Sequence, residues 1–466
     1  MFKIPTYERS TVLLLFAFSL VIATSYIVAR TIGDSLFLSR IGNEHLSLVF
    51  VLSGIFTAIV ASAWYLLTKK YSVATTIQVS SFCFAAFTLT AFVLLPKYHH
   101  SFWLLAAIYL MADIKGCINA INIVLALNTK LGREASKSAW TVVGLAAPIA
   151  AVLAGGALAL ESAVLSIQTW LIVGMCLDVV AMAIGFGLKY QANIKAVLAV
   201  GSDQASSTTK PTAFKIPDYH SPLCSKAKTY VCSDKFRKWI GILIAAKVIV
   251  LTILAFEWKS AANTVFEGQT TSLVQFFGIY YGVVGFATIV LQLLLTDRFL
   301  SGKRLTVPVI LMPAMLLFVS VSIFLSPSVV IVLVFATIGK SLDAWRRSVH
   351  DTTLNFLYTR IRRGQRRFAI SLNSGLIKPL AEVAAASVIF LGTPVAYRSV
   401  LAAVLLLWVF AGYRLVRLVK STDKITEAKQ STLFSNLVIR LNAIFRSKAK
   451  EDGRRIHADP IDGQTY

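Results

Sequence analysis

Charged side chains recur inside the apolar stretches of this chain, at helical spacing. Arg30 and Asp34 are four residues apart and share one helix face. Asp113 and Lys115 sit in a second apolar run, where Lys115, Asn119 and Asn122 form a polar stripe at i, i+4, i+7. A third run carries Lys247, Glu257 and Lys259. A fourth carries Lys340, Asp343 and Arg347 at i, i+3, i+7, with Arg346 beside them. Ser374, Lys378 and Glu382 share a face in a fifth, where Pro379 can kink the helix. An ionisable group in hydrocarbon is costly unless it is paired or wet, so each of these either neutralises a neighbour or faces a polar path. Asp178 stands alone in its run, and a proton-relay role or a partner on another helix would account for it.

These runs hold more basic than acidic groups. An excess of fixed cations in a low-dielectric cavity favours an anionic solute, phosphate among them. The expected anion contacts are Arg30, Lys115, Lys259 and Lys378, with Asp34, Asp113, Glu257, Asp343 and Glu382 as counter-charges or gates. A plainer reading stands beside this one. Arg30–Asp34, Asp113–Lys115 and Lys378–Glu382 would be self-neutralising pairs that orient helices, and Arg346 and Arg347 would snorkel to the membrane surface.

The elements that position these residues follow from composition. Hydrophobic residues make up 56% of the 466 positions and charged ones only 15%, against about 25% in a soluble domain. Mean hydropathy is +0.71. Apolar runs of about 20 residues each match a hydrocarbon core, and only helices satisfy their own backbone there. The spans are expected near 11–30, 47–68, 74–95, 102–127, 139–160, 165–188, 239–262, 272–296, 305–325, 328–347, 368–392 and 397–416. The fold class is therefore an all-α polytopic membrane protein of about twelve transmembrane helices in two six-helix halves. The halves are assigned to 1–189 and 238–417, with a polar linker at 190–237 and a basic tail at 418–466. Apolar residues at helical spacing in the tail suggest an amphipathic helix on the membrane surface.

Internal similarity supports a duplication. Leu66-Leu67-Thr68-Lys69-Lys70-Tyr71 at the end of span 2 matches Leu294-Leu295-Thr296-Asp297-Arg298-Phe299 at the end of span 8. Leu127-Asn128-Thr129-Lys130 matches Leu357-Tyr358-Thr359-Arg360 at the ends of spans 4 and 10. Parallel six-helix halves are the layout of major facilitator transporters, in which spans 1, 4, 7 and 10 line the central cavity. The intramembrane charges concentrate on those spans.

The net charge of +24 is topological rather than a signature of nucleic-acid binding. Among the loops assigned to the outer side only Arg40, Lys97 and Arg398 are basic, while the other side is rich in Lys and Arg. Both termini are thus expected in the cytoplasm, with a bacterial inner membrane as the economical location. The first apolar run is too long for a cleavable signal and is expected to act as an anchor. Cys83, Cys117, Cys176, Cys224 and Cys232 form no CxxC spacing, and the six histidines form no metal-spaced cluster. Gly339-Lys340-Ser341 matches the end of a P-loop, but Val334 stands at its first glycine position. The expectation is a non-enzyme without cofactor or nucleic-acid partner, working in a lipid bilayer.

Several segments together resemble the ATP/ADP translocase (nucleotide transporter) family, a divergent branch related to the major facilitators. They are Ala29-Arg30-Thr31-Ile32-Gly33-Asp34-Ser35-Leu36, Met111-Ala112-Asp113-Ile114-Lys115-Gly116, Glu134-Ala135-Ser136-Lys137, Glu257-Trp258-Lys259-Ser260 and Phe276-Phe277-Gly278, with the basic loop at 360–367. The resemblance implies nucleotide exchange, with acids in spans 4 and 7 and lysines in spans 2 and 11. Asp113 matches the first acid. The second falls at Ala255, with Glu257 two positions later; span 2 has no lysine, and the span 11 lysine falls near Ala381, with Lys378 nearby. The leading expectation is an alternating-access secondary transporter exchanging an anionic solute such as ATP or ADP or another phosphorylated metabolite. Transport of another organic anion or a proton-coupled solute, and a non-transporting membrane scaffold or sensor, remain open beside it.

Overall fold

The computed structural model describes residues 6–130, 133–204, 234–300, 306–358, 361 and 372–421. Among them helix is the only regular secondary structure, as long apolar runs in a bilayer demand. The first six helices are α1 (Thr6–Arg40), α2 (Leu46–Lys70), α3 (Val73–Leu94), α4 (Phe102–Lys130), α5 (Arg133–Glu161) and α6 (Ile167–Gln204). The last six are α7 (Asp234–Val265), α8 (Thr270–Leu300), α9 (Thr306–Leu325), α10 (Val329–Ser341 with its continuation), α11 (Lys378–Leu391) and α12 (Pro394–Ser421). Nine of the described helices are long and apolar enough to cross a membrane, and α9 adds a shorter apolar segment. The chain is a polytopic helical membrane protein.

Successive helices run in alternate directions, so the bundle has a proximal end, where α1 begins, and a distal end, where α1 finishes. Within the first six, α1 packs against α4, α5 and α6, and α3 against α6. Within the last six, α7 packs against α10 and α11. Two helix pairs carry most of the packing between the sets, α5 against α8 and α2 against α11. At the first, backbones nearly touch: a Cβ added to Gly155 would lie 2.5 Å from the Gly282 nitrogen. One added to Gly278 would lie 2.9 Å from the Gly155 oxygen. Small residues permit this approach, and in lipid, where apolar burial between helices gains little, close packing is a main source of association.

Two spans of the second set are not regular. After Ser341, α10 continues through Asp343–Trp345, a π-helical turn at Arg346–His350 and a final stretch Asp351–Tyr358. A second π-helical turn, Asn373–Ile377, leads into α11, with Pro379 in its first turn. Proline lacks an N–H and crowds the preceding carbonyls, which accounts for a widened turn just before it. No comparable residue explains the turn in α10.

Several expected boundaries move. Helix α1 runs ten residues past the expected end at 30, so Arg30 and Asp34 lie inside the bundle. Arg40 is the last residue of α1 and donates to the His99 carbonyl at 3.0 Å. Arg398, counted with an outer loop, belongs to the start of α12. Helix α6 reaches Gln204 and α7 starts at Asp234, both inside the expected linker 190–237. The run Lys195-Ala196-Val197-Leu198-Ala199 is rich in good helix formers and carries α6 onward. The rest of that linker, most of the basic loop at 360–367 and the tail from 422 lie outside the described residues.

Candidate functional site

At about 1.5 Å per residue, Arg30 and Asp34 lie roughly 15 and 9 Å from the distal end of α1. Asp34 accepts from Lys259 Nζ at 2.8 Å and from Arg30 Nε at 3.1 Å. Arg30 also pairs with Asp113 of α4, which accepts a further hydrogen bond from Ser53 of α2. Tyr109 completes the cluster: its hydroxyl accepts from Lys259 at 2.8 Å and from Arg30 at 3.2 Å. Its ring faces both cations, 4.6 Å from Lys259 Nζ and 4.7 Å from the Arg30 guanidinium carbon. Two cations thus meet two carboxylates, and because Lys259 comes from α7 the cluster spans both helix sets.

Further bonds join the sets closer to the distal rim. Asn43 donates to the Ser260 carbonyl at 3.3 Å, and Thr270 donates to Ser39 at 2.8 Å. These bonds, with Lys259 to Asp34 and Tyr109 and Asn43 to Thr264, join the two sets in the distal half. Near the same end Glu257 accepts both hydrogen bonds of a bidentate pair from Arg398 of α12, at 2.6 and 3.1 Å.

Lys115 points elsewhere. Only 2% exposed, it donates to Asp178 of α6 at 2.7 Å and to Ser25 of α1 at 2.7 Å, and Ser25 in turn donates to Asp178 at 2.8 Å. Asn122 accepts from Trp64 and donates to Ser80. The stripe through Lys115 and Asn122 therefore faces the packing within the first six helices. The Asp113–Lys115 pair does not form, because residues two apart on a helix diverge; each finds its partner on another helix, and Asp178 is not alone.

On α10, Asp343 is flanked by Arg346 at 3.0 Å and Lys340 at 3.5 Å, with the exposed Arg347 next to them. Two cations thus pair with one carboxylate, and Arg347 follows in the sequence. Toward the proximal side, Asp351 accepts from Lys247 of α7 at 2.8 Å and lies 3.3 Å from the His350 ring nitrogen. Lys378 and Glu382 are 4.0 Å apart on α11, and the lysine side chain is 57% exposed. A Cβ added to Gly54 of α2 would lie 3.6 Å from the Glu382 Cβ, so Glu382 faces the first helix set.

Between α1, α5, α8 and α10 lies a recess lined by Tyr26, Pro148, Tyr280, Tyr281, Gly285 and Arg347, with about 510 Å³ of empty space counted with its open mouth. Sequence reasoning missed Tyr26, Tyr109, Tyr281 and Ser53, since neutral residues in apolar runs carry no desolvation signal. Arg347 was visible in the α10 stripe, yet its position also suited a snorkelling arginine. Among the described residues no cluster of His, Cys, Asp and Glu could hold a metal ion.

No protein-family model matches the sequence, and no curated protein matches it. Solved structures match most of the chain. A bacterial homologue of the iron transporter ferroportin in an inward-facing state gives a TM-score of 0.57 at 12% identity, covering 89% of this chain and 99% of that one. The peptide transporter POT in complex with sulfate gives 0.56 at 13% identity, covering 89% and 95%. The nucleoside transporter NupG gives 0.53 at 13% identity, covering 88% and 99%. The fold is of the major facilitator type. At such identities the likeness concerns architecture alone, and the chemistry has to be argued from this chain's own residues.

Proposed function

We propose that this protein is a secondary transporter that moves an anionic solute by alternating access, with its two helix sets rocking about a mid-membrane site. The observation that carries this reading is the charge on α10, where Lys340 and Arg346 pair with Asp343 and the neighbouring Arg347 lines the recess at the boundary between the sets. A fixed cationic surplus in a partly dry cleft attracts and orients an anion. With the N-terminus cytoplasmic in a bacterial inner membrane, the distal end faces outward. The halves are then clasped outside by Lys259–Asp34, Asn43–Ser260 and Thr270–Ser39, an inward-facing arrangement.

The residues divide by role. Arg30, Asp34, Asp113 and Lys259 act as an outer latch whose cations become available to solute when it opens. Lys378 and Glu382 lie along the path, Asp343 is the counter-charge of the α10 cations, and Glu257 holds α12 through Arg398. Lys115 with Asp178 is an internal tie of the first half. The solute class is nucleotides, ATP and ADP included, or related phosphorylated metabolites, moved by exchange. Counterflow in proteoliposomes loaded with unlabelled nucleotide and supplied with labelled ATP or ADP should show stimulated entry that Arg347→Ala abolishes. Folded, membrane-inserted protein with no counterflow for any nucleotide or phosphorylated metabolite would sink the reading.

One observation supports a second reading, proton-coupled uptake: Asp351 is shared between Lys247 and the fully buried His350. Uptake driven by a pH gradient in vesicles without internal solute would favour it over exchange.

A further inference from the structure

We infer that the proximal ends of α7 and α12 form a binding surface for an anionic diacyl phospholipid, held through its headgroup phosphate. The two helices run antiparallel and side by side, as contacts at both ends show. Near the distal end Phe256 meets Tyr397 with ring centroids 5.7 Å apart, and Glu257 pairs with Arg398. Near the proximal end Trp239 meets Phe410 edge-on at 5.6 Å. The last turns of α12 divide into two faces. Ala411, Leu415 and Val419 are buried, and a Cβ added to Gly412 would lie 3.1 Å from Val309 of α9. Leu406, Phe410, Arg414 and Arg417 are exposed, and steps of four, four and three residues put them on one face.

That exposed face changes chemistry along the helix axis as a bilayer leaflet does. Leu406 is 58% exposed and Phe410 47%, which suits contact with acyl chains. Tyr413, exposed, and Trp239, half-buried, follow at the level where amphipathic rings favour the interface. At 1.5 Å per residue, Arg414 and Arg417 lie about 6 and 10 Å beyond Phe410, with Lys420 further out. Lys238, also exposed, precedes Trp239 on α7. Arg414 rests its guanidinium on the Phe410 ring, 5.3 Å from the centroid. Stacking uses the face of the guanidinium and leaves its in-plane N–H fork for a phosphate. The sequence has no acid from 399 to 422 or from 235 to 256, so neither helix supplies a counter-charge here. Among the described residues no carboxylate pairs with Lys238, Arg414, Arg417 or Lys420. At the other end of α12 the one arginine, Arg398, is taken by Glu257. Basic side chains just past an apolar helix face attract anionic headgroups, and a site between two helices turns that attraction into selection. A zwitterionic lipid would cover the apolar face equally well but bring its own cation up to the arginines.

The test is native mass spectrometry of the purified full chain after incubation in detergent with phosphatidylglycerol and phosphatidylcholine of identical acyl chains. Each cation at a membrane surface contributes roughly five-fold to the retention of an anionic lipid, so phosphatidylglycerol should be retained at least about ten-fold over phosphatidylcholine. Arg414→Gln/Arg417→Gln should bring that ratio close to one. Both side chains are exposed, so the melting temperature of this variant in detergent should stay near that of the unmodified protein. Lys97→Gln, which removes an exposed cation at the distal end, should leave the ratio unchanged. Equal retention of the two lipids by the unmodified protein would overturn the inference. So would a preference that survives the double substitution, or one that Lys97→Gln removes to the same extent. Displacement of the bound lipid by an equal concentration of glycerol 3-phosphate would also overturn it, by revealing a site for a soluble phosphate. None of these cations enters the transport reading, so the two stand or fall separately.

Discussion

Around Asp34 and Asp113, two carboxylates meet two cations, each with a short bond and most with a second partner. Around Asp343, one carboxylate meets Lys340 and Arg346, with Arg347 turned toward the recess. The helices differ as well. The balanced cluster sits on regular stretches of α1, α4 and α7, whereas the surplus sits on α10 as it passes into a π-helical turn. Such turns are frequent at functional sites, because the inserted residue re-aims the side chains that follow it. A balanced buried cluster has little charge left for a ligand and its strength goes into holding one arrangement. On the proposed reading, the α10 cations would be drawn to an arriving anion. On the proposed reading, the same chain uses charge for conformation at one level and for recognition at the other.

Removing one partner from the balanced cluster should have the largest effect. Asp34→Asn leaves Lys259 and Arg30 with a single full carboxylate, and a broken buried pair costs about 3–5 kcal/mol. Thermal unfolding in detergent should show that loss, and Asp34→Asn/Lys259→Met should recover most of it. A melting temperature unchanged by the single substitution would mean that water already screens the cluster.

Arg347→Gln should do the reverse, leaving the unfolding temperature nearer that of the unmodified protein and weakening anion binding. A hydrogen bond to a charged group contributes about 1.5–3 kcal/mol, so the dissociation constant should rise roughly 10- to 100-fold. If affinity holds and stability falls instead, the two levels have been assigned the wrong way round.

The packing between the sets gives a smaller effect. Gly155→Ala would push a methyl into the backbone of α8 and cost about 1–3 kcal/mol, as overpacking does. Crosslinking between cysteines placed on α5 and α8 should report the separation of those helices. Smallest of all should be the stability change in Lys378→Ala. Its long, exposed pair with Glu382 belongs to the class that contributes about 0–1 kcal/mol, so a large loss of stability would point to a partner in another conformation.

Much of the architecture was written in the order of residues. Runs of apolar side chains long enough to span hydrocarbon leave the backbone no alternative to helix. That is a property of local composition, which is why the helical class is legible without coordinates. The positions of the intramembrane charges were equally plain, since each carries a desolvation cost that an apolar run cannot hide. Their partners were not. Asp178 and Lys115 lie 63 residues apart, and Arg30 meets Asp113 across 83. Glu257 turns to Arg398 rather than to Lys259. Pairing depends on the rotation of each helix about its axis and the height at which it crosses its neighbours. Those are fixed by the packing of whole faces, such as the glycine contact of α5 with α8, and no short motif encodes them. The tyrosines that border the recess were invisible for a related reason. A neutral ring in an apolar stretch looks like core until the fold sets it beside a cleft.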